Sequence, residues 1–338
     1  MTAPLPARLA YLRPSTLAGW SGAMKDGWSA AAAERGISGV ITKLDIIDDD
    51  LKAATARHGL HVVGSFAAYS DHAGSAMAVP VRPTGRDGGE LTPLEWYRGI
   101  VPGDPTFDTA LAAKLARDLD SSGVETVFLD FLRWPGHWET ESRNGGSPRP
   151  ASFDDGTLAR FASWLGVDRI DRVQVSEHAA AWDEFRVHAV NETARRLAEV
   201  GHRRGVRVGA FLVPLPHRER RAQYGQDLSD LATHLDLFAV MSYQQIAGLD
   251  IGRTLDLTDE VKTKTGRQAV AMLQTSTDPA LSGGWDWGPS LAPDTVVARA
   301  TLLEQARREG RVDAICCFPG EAPIPDFLHA PPLEGIVQ

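Results

Sequence analysis

The feature that most constrains the fold is a series of eight short apolar runs, each followed by a loop and a segment of helical period. Their hydrophobicity is continuous rather than alternating, which is typical of strands covered on both faces, as in parallel sheets. The runs cover residues 8–14, 38–47, 61–70, 124–132, 206–214, 236–244, 268–276 and 313–321.

The segments between these runs carry helix signals. Two predicted helices end just before Gly36 and Gly59, where glycine favours a C-terminal cap. Leu111, Leu115 and Leu119 recur every four residues and form one apolar stripe. Asp294 is a candidate N-cap for the last helix. The predicted helices cover 28–35, 51–58, 108–123, 182–205 and 294–310.

Eight strands that alternate with helices predict an α/β fold, a (β/α)₈ TIM barrel, as a single domain over residues 1–338. A doubly wound open sheet is the alternative, but it normally has a glycine-rich turn after its first strand, and "YLRPST" lacks one. Two connections, about 71–105 and about 136–181, are long enough to be loop insertions. Both follow strands, so they are expected at the C-terminal face, where barrel active sites lie.

Charge and composition limit which binding partners, compartment and cofactors the sequence predicts. The formal net charge of −9 argues against a nucleic-acid partner, since phosphate binding requires clustered cations. No stretch reaches the roughly 18–20 apolar residues of a membrane helix, and the N-terminus does not resemble a signal peptide. We therefore expect a cytoplasmic protein. Cys316 and Cys317 stand next to each other and have neither disulfide nor metal-ligand spacing, so no metal or cofactor is predicted.

The segment "VETVFLDFLRWPGHWE", residues 124–139, concentrates reactive groups after the most strand-like run. Asp130 is the strongest catalytic candidate, because a carboxylate directly after "VFL" is costly to bury without a partner or a task. A salt bridge to Arg133 is the structural alternative. The two interpretations are compatible, because an arginine would keep Asp130 ionised as a nucleophile or base.

In a barrel, the polar residues that end the other runs would converge on the same rim. Rings that stack on sugar C–H faces, together with side chains that bind hydroxyls, are typical of carbohydrate sites. The residues predicted to bind such a substrate are Tyr11, Lys43, Asp45, Asp71, Arg133, Trp134, Trp138, Glu139, Tyr243, Gln244, Gln274, Trp285 and Trp287. Further rim candidates are Arg13, Tyr69, His72, His137 and His217.

Cleavage of a glycosidic bond requires two carboxyl groups, one protonated and one ionised. Glu321, at the end of the eighth run, is the predicted acid partner of Asp130, with a solvated loop position as the alternative. Glu139 and Asp71 are further candidates on the two long loops, where a surface position is the alternative. Asp45 has a pairing with Lys43 as its alternative.

The segment "DFLRWP", residues 130–135, resembles the Asp-aromatic-x-Arg-aromatic-Pro segment that glycoside hydrolase-like TIM-barrel proteins, including hypothetical glycosyl hydrolase families, carry after strand four. "VMSYQ", residues 240–244, is similar to the Met-x-Tyr segment of chitinase-like barrels, whose tyrosine lines the sugar site. The resemblance covers roughly residues 97–245. It implies a barrel, a sugar substrate, and Asp130 and Arg133 as site residues.

The chain departs from chitinases at one point. Their strand-four signature ends in a catalytic glutamate, whereas this segment has only Asp130. The resemblance therefore implies no acetamido-assisted mechanism and does not supply the acid.

Three functions remain open from the sequence. The first is a glycoside hydrolase that cleaves a small oligosaccharide or glycoside. The second is a non-catalytic carbohydrate-binding barrel. The third is a lyase or aldolase that uses the amine of Lys43.

Overall fold

The chain forms a closed barrel of eight parallel strands in which each strand pairs with the next and the last pairs with the first. The computed structural model describes residues 5–71, 81–91, 94, 97–141, 143, 148–149, 151–282 and 285–328. The predicted (β/α)₈ TIM barrel is confirmed, and every strand lies within its predicted run. The strands are β1 (Arg8–Tyr11), β2 (Gly39–Lys43), β3 (His61–Ala67), β4 (Thr126–Asp130), β5 (Arg207–Leu212), β6 (Leu237–Val240), β7 (Gln268–Gln274) and β8 (Ala314–Phe318).

Helices surround the barrel. Within the described ranges they are α1 (Pro14–Leu17), α2 (Gly22–Glu34), α3 (Asp49–Arg57), α4 (Pro105–Ser122), α5 (Trp138–Glu141), α6 (Asp155–Leu165), α7 (Ala179–His202), α8 (His217–Tyr224), α9 (Leu228–Leu231), α10 (Gln244–Ala247), α11 (Ile251–Thr265), α12 (Pro279–Ser282) and α13 (Pro293–Arg308). Among these, no helix combines the length and apolarity needed to cross a membrane.

The helix predictions hold in outline and differ at the ends. Asp294 is not the N-cap of α13: Ala292 takes that position, and Asp294 lies in the first turn. The reason is Pro293, whose fixed φ suits the first helical position, so that the helix starts two residues earlier than an N-cap at Asp294 would allow. The helices α6 and α11 lie outside the predicted segments, although an aspartate caps the N-terminus of each.

Side chains alternate between the two faces of the barrel wall. A buried cluster takes residues from all eight strands, among them Leu9, Ile41, Phe128 and Cys316, and fills the barrel interior. The intervening residues, such as Leu129, pack with helix residues in the outer core. The residue two positions after an interior residue lies at the C-terminal rim, and its side chain still points inward. The residues in that position include Tyr11, Lys43, Asp130 and Phe318.

The long segment after β4 is anchored by aromatic packing. Trp182 of α7 contacts Phe153, Phe161 and Phe185, and its ring centroid lies 6.3 Å from that of Trp134. These rings are largely buried, so the segment has a core of its own against the barrel wall. Such packing holds the β4 loop in a defined position above the rim.

Leu115, in the middle of the apolar stripe of α4, is fully buried between helix and barrel. We expect Leu115→Ala to lower the free energy of unfolding by about 2–5 kcal/mol, because it removes buried methyl groups and leaves a cavity. Urea denaturation followed by circular dichroism measures this loss. Val297→Ala, at a position that is 43% exposed on α13, serves as the control and should cost far less. Equal losses in the two variants would contradict the assigned packing.

Candidate functional site

A pocket of about 410 Å³ opens at the C-terminal ends of the strands. This volume falls in the range of ~300–1,000 Å³ that is typical of small-molecule sites. Its position agrees with the rule that barrel active sites lie at this face. The lining residues are Tyr11, Arg13, Pro14, Ser15, Lys43, Asp130, Phe131, Glu139, Phe211, Met241, Tyr243, Ile246, Ser282, Trp285, Trp287 and Phe318.

Asp130 is the last residue of β4 and turns into the pocket. Its Oδ1 accepts a hydrogen bond of 2.8 Å from the backbone N–H of Phe131. Burial raises the pKa of Asp130 to about 6, although that hydrogen bond and the cations Arg133 and Lys43 oppose the rise. Near neutral pH the carboxyl is therefore mostly ionised, as a nucleophile or base requires.

Phe131 ends β4 abruptly. Its φ of 51° lies in the left-handed region, which costs a non-glycine residue roughly 1–2 kcal/mol. The ring stacks on Tyr97, with centroids 4.9 Å apart. Strain of this kind persists only where the surrounding structure enforces it, and it clusters at functional sites. The left-handed conformation of Phe131 turns the chain away directly after Asp130, whose side chain faces the pocket.

Glu139, in the short helix α5, is the second carboxyl group of the pocket. It is only 5% exposed. Burial raises its pKa to about 7; the charge of Arg133 opposes the rise, and the carboxylates of Asp130 and Glu141 add to it. The sequence left Glu139 open between a substrate contact, an acid and a surface residue, and the structure places it inside the site.

Arg133 does not line the pocket but lies fully buried behind it. Its Nη1 donates a hydrogen bond of 3.0 Å to the carbonyl oxygen of Gly136. Its ion pair is with Glu139, at 3.6 Å, whereas the structural alternative from the sequence was a salt bridge with Asp130. The geometry therefore makes Arg133 a support for the carboxyl groups rather than a direct contact for a substrate.

Aromatic side chains form the opposite wall. The ring of Phe318 lies 4.5 Å from Tyr243, 5.3 Å from Trp287 and 5.8 Å from Tyr11, measured between centroids. Trp285 completes this wall. The predicted residues Tyr11, Lys43, Tyr243, Trp285 and Trp287 thus meet in one pocket together with Asp130 and Glu139.

Arg143 joins the loops after β4 and β7 beside this wall. Its Nη2 donates to the carbonyl oxygen of Asp286 at 2.8 Å, and its Nε donates to that of Ile246 at 3.0 Å. A salt bridge between Arg143 and the Asp286 carboxylate adds to these contacts. The loop that carries Trp285 and Trp287 is thereby held against the segment that carries Glu139.

Besides Arg133, four of the predicted substrate contacts lie behind the pocket wall. Trp134 donates its indole N–H to the carbonyl oxygen of Arg186 at 2.8 Å and packs in the aromatic core of the β4 segment. Trp138 stacks on Tyr243, with centroids 6.1 Å apart. Gln244 donates to the Met272 carbonyl oxygen at 2.9 Å.

Gln274, the fourth, is fully buried and binds the backbone of the surrounding loops. Its Oε1 accepts from the backbone N–H of Ile246 at 3.1 Å, and its Nε2 donates to the Trp287 carbonyl oxygen at 3.2 Å. These residues were predicted to touch the substrate, but the barrel rim buries them one layer deeper, where they position residues that line the pocket.

Glu321, the predicted acid, also lies outside the pocket lining. Its Oε1 accepts two hydrogen bonds from Arg13, one from the backbone N–H at 2.8 Å and one from the side-chain Nε at 3.2 Å. The guanidinium of Arg13 in turn lies 5.6 Å from the ring of Trp287. Glu321 therefore holds Arg13 in the pocket wall, because the turn after β8 directs its carboxylate toward the end of β1.

The remaining candidates are elsewhere. Asp71 forms an ion pair with Arg82 at 2.6 Å and does not line the pocket. Asp45 is exposed and lies 3.7 Å from Lys114, in a smaller neighbouring pocket that shares only Lys43 with the main one. Tyr69 is buried and donates to the Asp108 carboxylate. His72 falls outside the described residues.

Several lining residues were not predicted, namely Phe131, Phe211, Met241, Ile246, Ser282 and Phe318, together with Pro14 and Ser15. A signal was present for three of them. Phe211, Met241 and Phe318 follow interior residues at a spacing of two within apolar runs, which the search for polar run ends passed over. Within the described part of the chain, no three His, Cys, Asp or Glu side chains converge to hold a metal ion.

Comparison with known proteins bears on the fold. No family model matches the chain, and no curated protein matches it. Solved structures do resemble it. The PgaB (BpsB) glycoside hydrolase domain from Bordetella bronchiseptica superposes with a TM-score of 0.68 at 12% identity, over 93% of this chain and 94% of that one.

Two further solved structures share the architecture. The catalytic domain of β-amylase from Paenibacillus polymyxa has a TM-score of 0.60 at 11% identity, over 95% of each chain. A class V chitinase from Pseudomonas fluorescens Pf-5 has a TM-score of 0.51 at 13% identity, over 95% of this chain and 97% of that one. At these identities the likeness shows the fold alone, the (β/α)₈ barrel that the chain shares with these structures.

Proposed function

We propose that this protein is a glycoside hydrolase that cleaves a small oligosaccharide or glycoside. The observation that carries the proposal is the meeting of two carboxyl groups, the half-buried Asp130 and the buried Glu139, in one aromatic-walled pocket at the C-terminal rim. Their pKa values, about 6 and about 7, differ in the direction that separates a base from an acid. The barrel resemblance to glycoside hydrolase domains supports the same reaction class.

In the proposed reaction, the protonated Glu139 carboxyl donates its proton to the glycosidic oxygen as the bond from the anomeric carbon to that oxygen breaks. In one route, the ionised Asp130 attacks the anomeric carbon and forms a glycosyl–enzyme bond, which water then hydrolyses while Glu139 takes a proton from that water. In the other, Asp130 takes a proton from a water that attacks the anomeric carbon directly. Lys43 and the Phe131 N–H favour the ionised form of Asp130. Glu139 thus takes the acid role that the sequence assigned to Glu321.

The pocket wall supplies binding. The rings of Tyr243, Trp285 and Trp287 offer stacking surfaces for sugar C–H faces. Lys43 and Arg13 provide donors for hydroxyl oxygens. A carbohydrate fits this pocket because each sugar ring presents both C–H faces that stack on aromatic rings and hydroxyl oxygens that accept hydrogen bonds.

We expect Asp130→Asn and Glu139→Gln each to lower kcat by about 10²–10⁴-fold, because each removes one partner of the acid–base pair while keeping the side-chain shape. Turnover of a panel of α- and β-linked aryl glycosides and disaccharides measures this. Asp120→Asn and Glu199→Gln, at ion-paired surface positions, are the matched controls and should leave kcat unchanged.

Each result of that panel has a separate meaning. Wild-type levels of turnover in Asp130→Asn would remove Asp130 from the chemistry. If the wild type binds sugars and cleaves none of them, the protein is a carbohydrate-binding barrel instead. Proton NMR of the first-formed anomer reports whether configuration is retained, as for a nucleophilic Asp130, or inverted.

The same pair predicts a bell-shaped pH profile of kcat/KM with its maximum between about 6 and about 7. Asp130 must be ionised, so activity should fall as the pH drops through its pKa. Glu139 must be protonated, so activity should fall as the pH rises through its own. Initial rates at low substrate concentration from pH 4 to 9 give both limbs. A profile that lacks either limb between pH 4 and 9 would contradict the assignment.

A second candidate function has one specific observation in its favour. Lys43 lines the same pocket, and burial lowers the pKa of its ammonium group. A buried amine of this kind can form a Schiff base with a carbonyl substrate, as in some lyases and aldolases.

If Lys43 has that role, borohydride reduction during incubation with pyruvate or glyceraldehyde should leave a stable adduct on Lys43, visible by peptide mass spectrometry. The glycoside hydrolase proposal predicts no adduct there. Lys43→Met provides the control, because any labelling that persists in it comes from other lysines.

A further inference from the structure

Arg133 is enclosed by three aromatic rings. Its guanidinium carbon lies 4.9 Å from the ring centroid of Tyr97, 5.2 Å from that of Tyr224 and 5.5 Å from that of Phe131. The side chain has no exposed surface. A guanidinium held over aromatic faces away from water is attracted to the negative faces of the rings. The cage therefore stabilises the charge of Arg133 without requiring a hydrogen-bonded anion.

The cage also fixes the distance to Glu139. The closest approach between Arg133 Nη2 and Glu139 Oε1 is 3.6 Å, which is within ion-pair range but too long for a hydrogen bond. In the described part of the chain, Arg133 Nη2 and Nε and Glu139 Oε2 are buried and have no hydrogen-bond partner. A buried carboxylate oxygen without a hydrogen bond is costly, so this group can readily take up a proton.

An arginine in direct, two-pronged contact would hold Glu139 ionised, because such pairs are among the strongest in proteins. An arginine at a greater distance would leave the buried carboxyl protonated well above neutral pH. The 3.6 Å spacing lies between these extremes. Contacts other than Glu139 hold the guanidinium there, namely the three rings and the hydrogen bond from Nη1 to the Gly136 carbonyl oxygen.

Other charged and titratable groups face Glu139 from neighbouring elements. Asp130 of β4 and Glu141 of α5 disfavour its ionised form. Tyr97, Tyr224 and Tyr243 also interact with it electrostatically, and each stays protonated near neutral pH because burial raises its own pKa. Arg133 is thus the cation that opposes the burial and the two carboxylates.

We propose that Arg133 is a positioning residue that acts through Glu139: its aromatic cage holds the guanidinium at ion-pair distance without a hydrogen bond, so that the carboxyl can both hold and release a proton. The inference rests on the proposed function for its catalytic meaning, since an acid must donate and regain a proton in each turnover. The electrostatic relation itself does not depend on which substrate the pocket takes.

The test is a direct titration of Glu139 in the full-length protein by carbon NMR with ¹³C-labelled glutamate side chains. The Glu139→Gln variant identifies the signal by its loss. Removing the opposing cation in Arg133→Met should raise the titration midpoint by about one to three pH units, because a cation at this distance favours the carboxylate. Arg133→Lys keeps a charge and should shift the midpoint less.

The cage has its own pair of variants. Tyr224→Leu removes one ring and should move the midpoint away from the wild-type value, because the guanidinium is no longer held at its present distance from the carboxyl. Tyr224→Phe keeps the ring and should match the wild type. This pair decides the question if Arg133→Met does not fold.

A purely structural role for Arg133 would lower stability and leave the midpoint of Glu139 where it was. An unchanged midpoint in Arg133→Met, or equal midpoints in the two Tyr224 variants where Arg133→Met is unfolded, overturns the proposal. The titration requires no turnover, so its outcome stays separate from that of the glycoside panel. If the panel fails while the midpoint shifts, the coupling stands and the hydrolase assignment does not.

Discussion

The site depends on one geometric constraint, the alternation of side chains along eight strands that close into a barrel. Closure gives every strand an inner face, and interior residues such as Ile41 and Phe128 fill the space. The next inward position on the same strands then has no core left to fill and meets the open rim. Lys43 and Asp130 reach the pocket for this reason, each two residues beyond a packed apolar side chain.

Burial at that rim turns ordinary acids into groups that titrate near neutral pH. Water is partly replaced by rings and backbone, which raises the pKa of Asp130 and Glu139. Cations then limit the rise: Lys43 and Arg133 act on Asp130, and Arg133 acts on Glu139. In the proposed reaction, the same desolvation that would destabilise an unpaired carboxylate prepares the pair for proton transfer.

Many of the predicted site residues lie in a layer behind the pocket lining. Sequence patterns do not distinguish these residues from the ones that line the pocket. Trp134, Trp138 and Gln274 have the residue types of sugar-binding groups, yet each is buried behind a residue that lines the pocket. In the sequence, a tryptophan that stacks on a sugar cannot be told from one that stacks on Tyr243, because the residue type is the same and the neighbours in the chain are similar. Only the packing of the β4 and β7 loops distinguishes them.

The sequence by itself determined the barrel, because eight continuous apolar runs with intervening helices have few other ways to bury both faces of every strand. It also determined that Asp130 would face the rim, since its position follows from strand period alone. The tertiary structure decided the second carboxyl. Glu139 and Glu321 both follow strands, but the left-handed turn at Phe131 and the short helix α5 return Glu139 to the pocket, whereas Glu321 is bound by Arg13. Loop paths of this kind depend on contacts between residues far apart in the chain, which local sequence patterns do not encode.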